Sequence, residues 1–373
     1  MSKGQKVGLT IGTIGLILIL FVCGYSIAKY DTGSYAHVLY ERGMRSFSNK
    51  KDFSAKSQSK NRENTISKVK NAVDKNSLAD RLKKKLQNQN FSGEYAVIEN
   101  GKVSGNNSIG ASVASGKLYQ VANTENILTA AAIVKLVDQG KITLTTPVSK
   151  FYSSLGLDKS VTVKSLLDMT SGIANDSVPN SQLQSGSDIL QWNLNHAVVS
   201  SSNFGTYSNQ EINYILLEGI VSQVSGMSYQ AFISSNFFRP NGLNDIKFVN
   251  NLNIPQMATP LKNGQRVTDS NLSKQMNSQM GGNQVMASPS DYLRLIQVLV
   301  REDSDKPGFI SQNKTGQLTS TSDGYICADE IDGFKTAVKI SKDGKTGVVL
   351  MSNDSNGNAD EGNQLLEAIR NFD

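Results

Sequence analysis

Histidine, cysteine and tryptophan are scarce in this 373-residue chain, which holds two, two and one of them. Each shortage removes a class of chemistry. His37 and His196 lie far apart, no metal-ligand spacing occurs, and no Gly-rich phosphate loop is present, so neither a metal centre nor a cofactor is expected. Cys23 and Cys327 stand near opposite ends, so there is no disulfide framework. Cys327 has no histidine near it in sequence, which weakens any Cys327/His196 nucleophilic pair. Charge is missing altogether from residues 7–28, an apolar run long enough to span a bilayer.

What is present is unevenly distributed. Lys3 and Lys6 precede the apolar run and Lys29, Arg42 and Arg45 follow it, so charge bias alone orients it poorly. Ser26-Ile27-Ala28 is an alternative cleavage site, whereas Val22 before Cys23 disfavours a lipoprotein anchor. Residues 42–85 carry 14 Lys and Arg against 4 Asp and Glu, so the net +6 of the chain belongs to that segment. Residues 46–64, rich in Ser, Asn and Lys, read as a solvated tether, suited to anionic headgroups or wall polymers or serving only as a spacer. Export and the lack of an aromatic-interleaved fold argue against nucleic acid. The organisation expected is a stub at 1–6, an anchor at 7–28, a basic tether at 29–76 and a folded domain at 77–373.

Within that domain, Leu78, Leu82 and Leu86 recur every four residues, the spacing of an amphipathic helix. Phe91 to Val103 reads as two strands meeting at Asn100-Gly101, a hairpin signal. The run Asn123-Thr124-Glu125-Asn126-Ile127-Leu128-Thr129-Ala130-Ala131 then carries the most information. It closely resembles the helix bearing the Ser-x-x-Lys catalytic pair of the serine beta-lactamase and penicillin-binding-protein superfamily. The nearest branch looks like that of class C beta-lactamases, D-alanyl-D-alanine carboxypeptidases and esterases. Aligning Thr129-Ala130-Ala131 with that family's T-A-A puts Asn123 at the serine and Asn126 at the lysine position. Other blocks follow in order. Leu166 to Gly172 resembles L-L-x-H-T-S-G with Met169 for the histidine, Gly282 to Leu293 resembles the Gly-rich turn and its helix, Gly333 to Asn353 the final hairpin, and Asn363 to Phe372 the closing helix.

The resemblance implies an α/β fold of the α+β type: an antiparallel sheet flanked by helices, with an inserted all-helical subdomain. It also implies an extracytoplasmic domain on a single membrane span at a Gram-positive surface. Peptidoglycan stem peptides or anionic wall polymers are then the expected partners. The chemistry is another matter. A carboxamide is neither a useful acyl acceptor nor a base, and Thr124 is turned about 100° away along a helix. Helix capping or pocket lining is the plain reading of Asn123 and Asn126.

The second motif, Tyr-x-Asn, has two registers. Tyr207-Ser208-Asn209 matches literally, but counting back from Asn213-Tyr214 without gaps puts Asn209 and Glu211 at the two positions. For Lys-Thr-Gly, spacing from the final hairpin gives Cys327-Ala328-Asp329, and a literal Lys314-Thr315-Gly316 is the rival. Asp329 would repel the carboxylate that this motif attracts. None of the literal Ser-x-x-Lys strings at Ser48, Ser57, Ser67 and Ser311 opens a helix ahead of the T-A-A run. The family pattern therefore implies a catalytically degenerate member used for binding, with a working envelope hydrolase of unusual nucleophile as the alternative.

Overall fold

The computed structural model describes residues 77–110, 116–177, 186–249, 254–268, 284–303, 318–331, 333–355 and 361–370. The apolar run 7–28 and the tether lie outside them. Among the described residues, no helix is long and apolar enough to cross a membrane.

Helix α1 (Leu78–Asn88) begins where Ser77 Oγ accepts the Asp80 N–H at 3.2 Å, a side-chain N-cap. Its leucines 78, 82 and 86 are all buried, as their spacing predicts. Strand β1 (Gly93–Glu99) turns into β2 (Lys102–Val103) through Asn100 and Gly101, with φ of 52° and 78°. Positive φ at both positions is what a two-residue hairpin turn demands, and Asn-Gly supplies it. The chain continues through β3 (Asn107–Ile109) and β4 (Tyr119–Gln120) into helix α2 (Asn126–Asp138).

The inserted part holds α3 (Val163–Leu167), β5 (Ile173–Asn175), α4 (Gly186–Asn195), β6 (Ala197–Val199), α5 (Ile212–Ser225) and α6 (Tyr229–Ile233). It is not wholly helical, because β5 and β6 pair as an antiparallel ribbon. Strands of three residues are too short to show an alternating pattern in sequence. Next come β7 (Ile246–Phe248), β8 (Leu261–Lys262), β9 (Gln265–Arg266) and β10 (Val285–Ala287), then helix α7 (Pro289–Asp303). The C-terminal part adds β11 (Thr319–Ser320), β12 (Gly324–Ile331), β13 (Phe334–Ser341), β14 (Gly347–Ser352), β15 (Asp354–Ser355) and helix α8 (Glu361–Arg370).

The main sheet runs β11-β12-β13-β14-β1-β2, with β3 also on β1, and every pairing in it is antiparallel. Strands β1 and β14, from opposite ends of the domain, are neighbours, so the sheet closes over sequence-distant partners. Alternation along its strands feeds two cores. Tyr95, Val97, Val348 and Leu350 face the rear layer with Leu82 and Ile369. Ala96, Ile98, Val349 and Met351 face the front layer with α2 and α7. Cys327 of β12 packs in that front layer, while Ile326 and Ala328 lean on the rear one. Asp329, two residues beyond Cys327, shares the front face.

Candidate functional site

A single turn of 3-10 helix, Ala122–Glu125, links β4 to α2 and carries Asn123. Ala122 opens it in the left-handed region, φ 54°, a strained conformation for a residue with a Cβ. The turn lays Asn123 against β12, where its backbone N–H donates to Asp329 Oδ2 at 2.9 Å. The Asn123 side chain bonds the same carboxylate, and the Glu330 N–H adds a third bond. Burial nevertheless prevails and pushes the Asp329 carboxyl up to about 6. No ion pair to Asp329 exists among the described residues.

Asn126 begins α2 three residues after Asn123, so the two share a face at this tight-turn spacing. It is 4% exposed, and its side chain makes no hydrogen bond among the described residues. Neither asparagine is a helix N-cap: those positions are Val121 and Glu125, neither of which gives a side-chain cap bond, while Asn126 closes the 3-10 turn as its C-cap through its backbone N–H.

The residues between the asparagines fix the turn. Thr124 is fully buried, donates to the Val121 carbonyl and is held by Tyr292 Oη of α7 at 2.6 Å, so its hydroxyl faces away from any ligand. Glu125, also fully buried, accepts the N–H groups of Gln284 and Val285 at 2.7 and 3.0 Å through Oε2, tying the turn to β10. Helices α2 and α5 pack together, and between them lies Glu218, fully buried. Both its carboxyl oxygens lack hydrogen-bond partners among the described residues. Burial, reinforced by Glu125, raises its pKa well above the ordinary range. Tyr229 Oη meets Thr129 Oγ1 at 2.8 Å in the same interior.

Of the other expected positions, Tyr207, Asn209 and Glu211 lie on an exposed segment leading into α5. That segment is stitched by the Gly205 and Ser208 N–H groups, each 2.9 Å from the carbonyls of Thr170 and Met169 respectively. Met169, expected by resemblance at the family's histidine position, is buried with φ 53°. Lys314, Thr315 and Gly316 lie outside the described residues. Cys327 is buried, and its thiol is pushed well up by burial and by Asp329, the opposite of an activated thiolate. His196 stacks on Trp192 at 4.1 Å with Nδ1 2.9 Å from the Trp192 carbonyl, so it is engaged within its own helix end.

Asn123 and Asp329 are thus brought together across 206 residues of sequence. The chemistry available to them is hydrogen bonding and charge. In acyl transfer, backbone N–H groups stabilise the developing oxyanion, and here the Asn123 N–H is already satisfied by a carboxylate. Glu125 and Glu218 were missed from sequence, although Glu218 interrupts the apolar run Ile215-Leu216-Leu217…Ile220-Val221, a signal that was there to read. A hollow of about 380 Å³ lies elsewhere, at the rear among Leu86, Phe91, Lys335 and Leu365, and does not touch Asn123.

The family model described as Beta-lactamase matches residues 78–369. PbpX of Bacillus subtilis (strain 168), a protein named for penicillin binding, is 24% identical over 303 residues, 76% of this chain and 75% of that protein. FmtA of Staphylococcus aureus superposes with a TM-score of 0.68 at 16% identity, covering 80% of this chain and 87% of that one. D-amino acid amidase of Ochrobactrum anthropi SV3, complexed with L-phenylalanine amide, gives 0.64 at 17% identity, covering 79% and 99%. At these identities the two structures speak for the fold. Sheet order, inserted helices and a family match over most of the chain lead to one conclusion: this chain belongs to the beta-lactamase family.

Proposed function

We propose that this beta-lactamase-related domain binds a cell-envelope ligand or protein partner without cleaving it. On this reading it is held at the outer face of a Gram-positive membrane by the apolar run 7–28, and the basic tether 29–76 reaches towards wall polymers. The single observation that carries the reading is the Asn123–Asp329 contact. Asn123 stands where a nucleophile is needed and offers a carboxamide, and its N–H, the natural oxyanion donor, is occupied at 2.9 Å by Asp329. Asn126, at the position of the base, has no lone pair of useful basicity. Removing a nucleophile and its base leaves only the residual catalysis of binding groups, and here the residual donor is engaged as well.

A working hydrolase is the second reading, favoured by the fold it shares with an amidase. Turnover separates the two. Incubated with a chromogenic cephalosporin and with a p-nitrophenyl ester, the purified full chain is expected to release chromophore no faster than buffer. Release above buffer that vanishes in Asn123→Ala would establish the hydrolase.

A further inference from the structure

The front of β12 presents a carboxylate that burial has stripped of much of its water and that no cation neutralises among the described residues. Groups facing Asp329 come from each packed element: Asn123 from the 3-10 turn, Tyr292 from α7 and, across the ladder, Thr336 from β13. Cys327 lies two residues back on its own strand and Glu125 stands one layer further in, also acting on Tyr292. None of these carries positive charge. Beside Asn123, on the same face, sits the second observation: the Asn126 amide, 4% exposed and without a hydrogen-bond partner among the described residues. Its amide atoms are not among the fully buried polar atoms left without a partner, so they keep access to the surface, where water or a ligand group can complete them.

We propose that the ligand of this site presents an ammonium group, which docks on the Asp329 carboxylate and donates a further hydrogen bond to the Asn126 carbonyl oxygen. This rests on the binding reading above and names the chemical class that the site selects. An ammonium has three donors and no acceptor, so it complements a carboxylate and an amide oxygen together. A ligand carboxylate would instead have to displace Asp329 from the Asn123 N–H and then lie beside its charge. The charge preference is therefore the reverse of what a Lys-Thr-Gly strand confers. Because the ammonium needs Asp329 ionised, binding is linked to the titration of that carboxyl, whose folded-state value is about 6.

Phenethylammonium and 3-phenylpropionate have the same aromatic body and opposite charge, and the amine stays charged at both pH 5 and pH 7.5. Titrated into the full chain by calorimetry or ligand-observed NMR, the ammonium is expected to bind and the carboxylate to bind at least tenfold more weakly at pH 7.5. Ammonium affinity should fall by about tenfold at pH 5, where Asp329 is mostly protonated. Asp329→Asn should abolish both the binding and its pH dependence, and Asn126→Leu should weaken it. Tighter carboxylate binding, absence of ammonium binding, or ammonium binding that ignores pH or survives Asp329→Asn would each overturn the proposal. The wild-type pH comparison stands even if a variant misfolds. A covalent penicillin adduct would sink the binding reading while leaving this charge preference measurable, so the two failures are distinguishable.

Discussion

Replacing Glu125 by alanine is expected to lower stability by about 3–5 kcal/mol, the largest loss predicted for a side chain that touches the site. Its Oε2 is the acceptor for two backbone N–H groups, those of Gln284 and Val285. Alanine would orphan both donors, each costing about 1–3 kcal/mol if left without a partner, and would open a void beside a fully buried position. The turn holding Asn123 would lose its tie to β10. Urea denaturation of the full chain checks this: the midpoint should drop with little change in slope. Glu125→Gln keeps an oxygen that can accept both N–H groups, so it should lose less than half as much. A loss under about 1 kcal/mol for the alanine variant would show that the carboxylate does not hold the turn.

Glu218→Leu is expected to act in the opposite direction and stabilise the protein by about 1–3 kcal/mol near neutral pH. The wild-type side chain buries both carboxyl oxygens without partners among the described residues, in an interior shared with Glu125. Leucine of comparable bulk removes that desolvation cost. The pH dependence fixes the sign. The folded-state pKa of Glu218 is raised above 4.5, so the folded chain keeps a proton that the unfolded chain releases. Its contribution to stability is full below about pH 4.5 and is lost as pH rises towards the folded value. The gain from Glu218→Leu should therefore be larger at pH 8 than at pH 5. An equal gain at both pH values, or a loss at pH 8, would mean that the carboxyl is not held protonated.

The parts of this fold that were legible in sequence are those set by local chemistry. Leu78, Leu82 and Leu86 declare α1 by spacing, and Asn100-Gly101 declares its hairpin because few residues tolerate two successive positive φ values. The C-terminal hairpin of β13 and β14 was legible only through the resemblance of Gly333 to Asn353 to the family's final hairpin. The ribbon of β5 and β6 did not announce itself, since three-residue strands carry no usable period. The way α2 begins is likewise not set by local preference alone. Asparagine is a good N-cap, yet Asn123 lies inside a 3-10 turn whose geometry is set by Thr124, Glu125 and Tyr292 through tertiary bonds.

Legibility of the site divides along the same line. Asn123 and Asn126 are assigned to the serine and lysine positions by resemblance alone, through the neighbouring Thr129-Ala130-Ala131. That Asp329 would lie on Asn123 was beyond any periodicity, because the contact spans 206 residues and depends on sheet register. The buried acids were hidden differently. A glutamate reads as exposed by default; the apolar run around Glu218 was the sign against that, and in the fold Glu218 is fully buried where α2 and α5 pack.

Binding without cleavage requires that no residue of this chain attacks an acyl carbonyl. Intact-mass spectrometry of the full chain after incubation with a fluorescent penicillin measures that directly, since a serine-type acylation adds the whole ring-opened drug to the protein. The expected result is an unchanged mass and no fluorescent band, at drug concentrations that fully label an active penicillin-binding protein run alongside. A stoichiometric adduct, mapped to a single residue, would contradict the account and name the nucleophile.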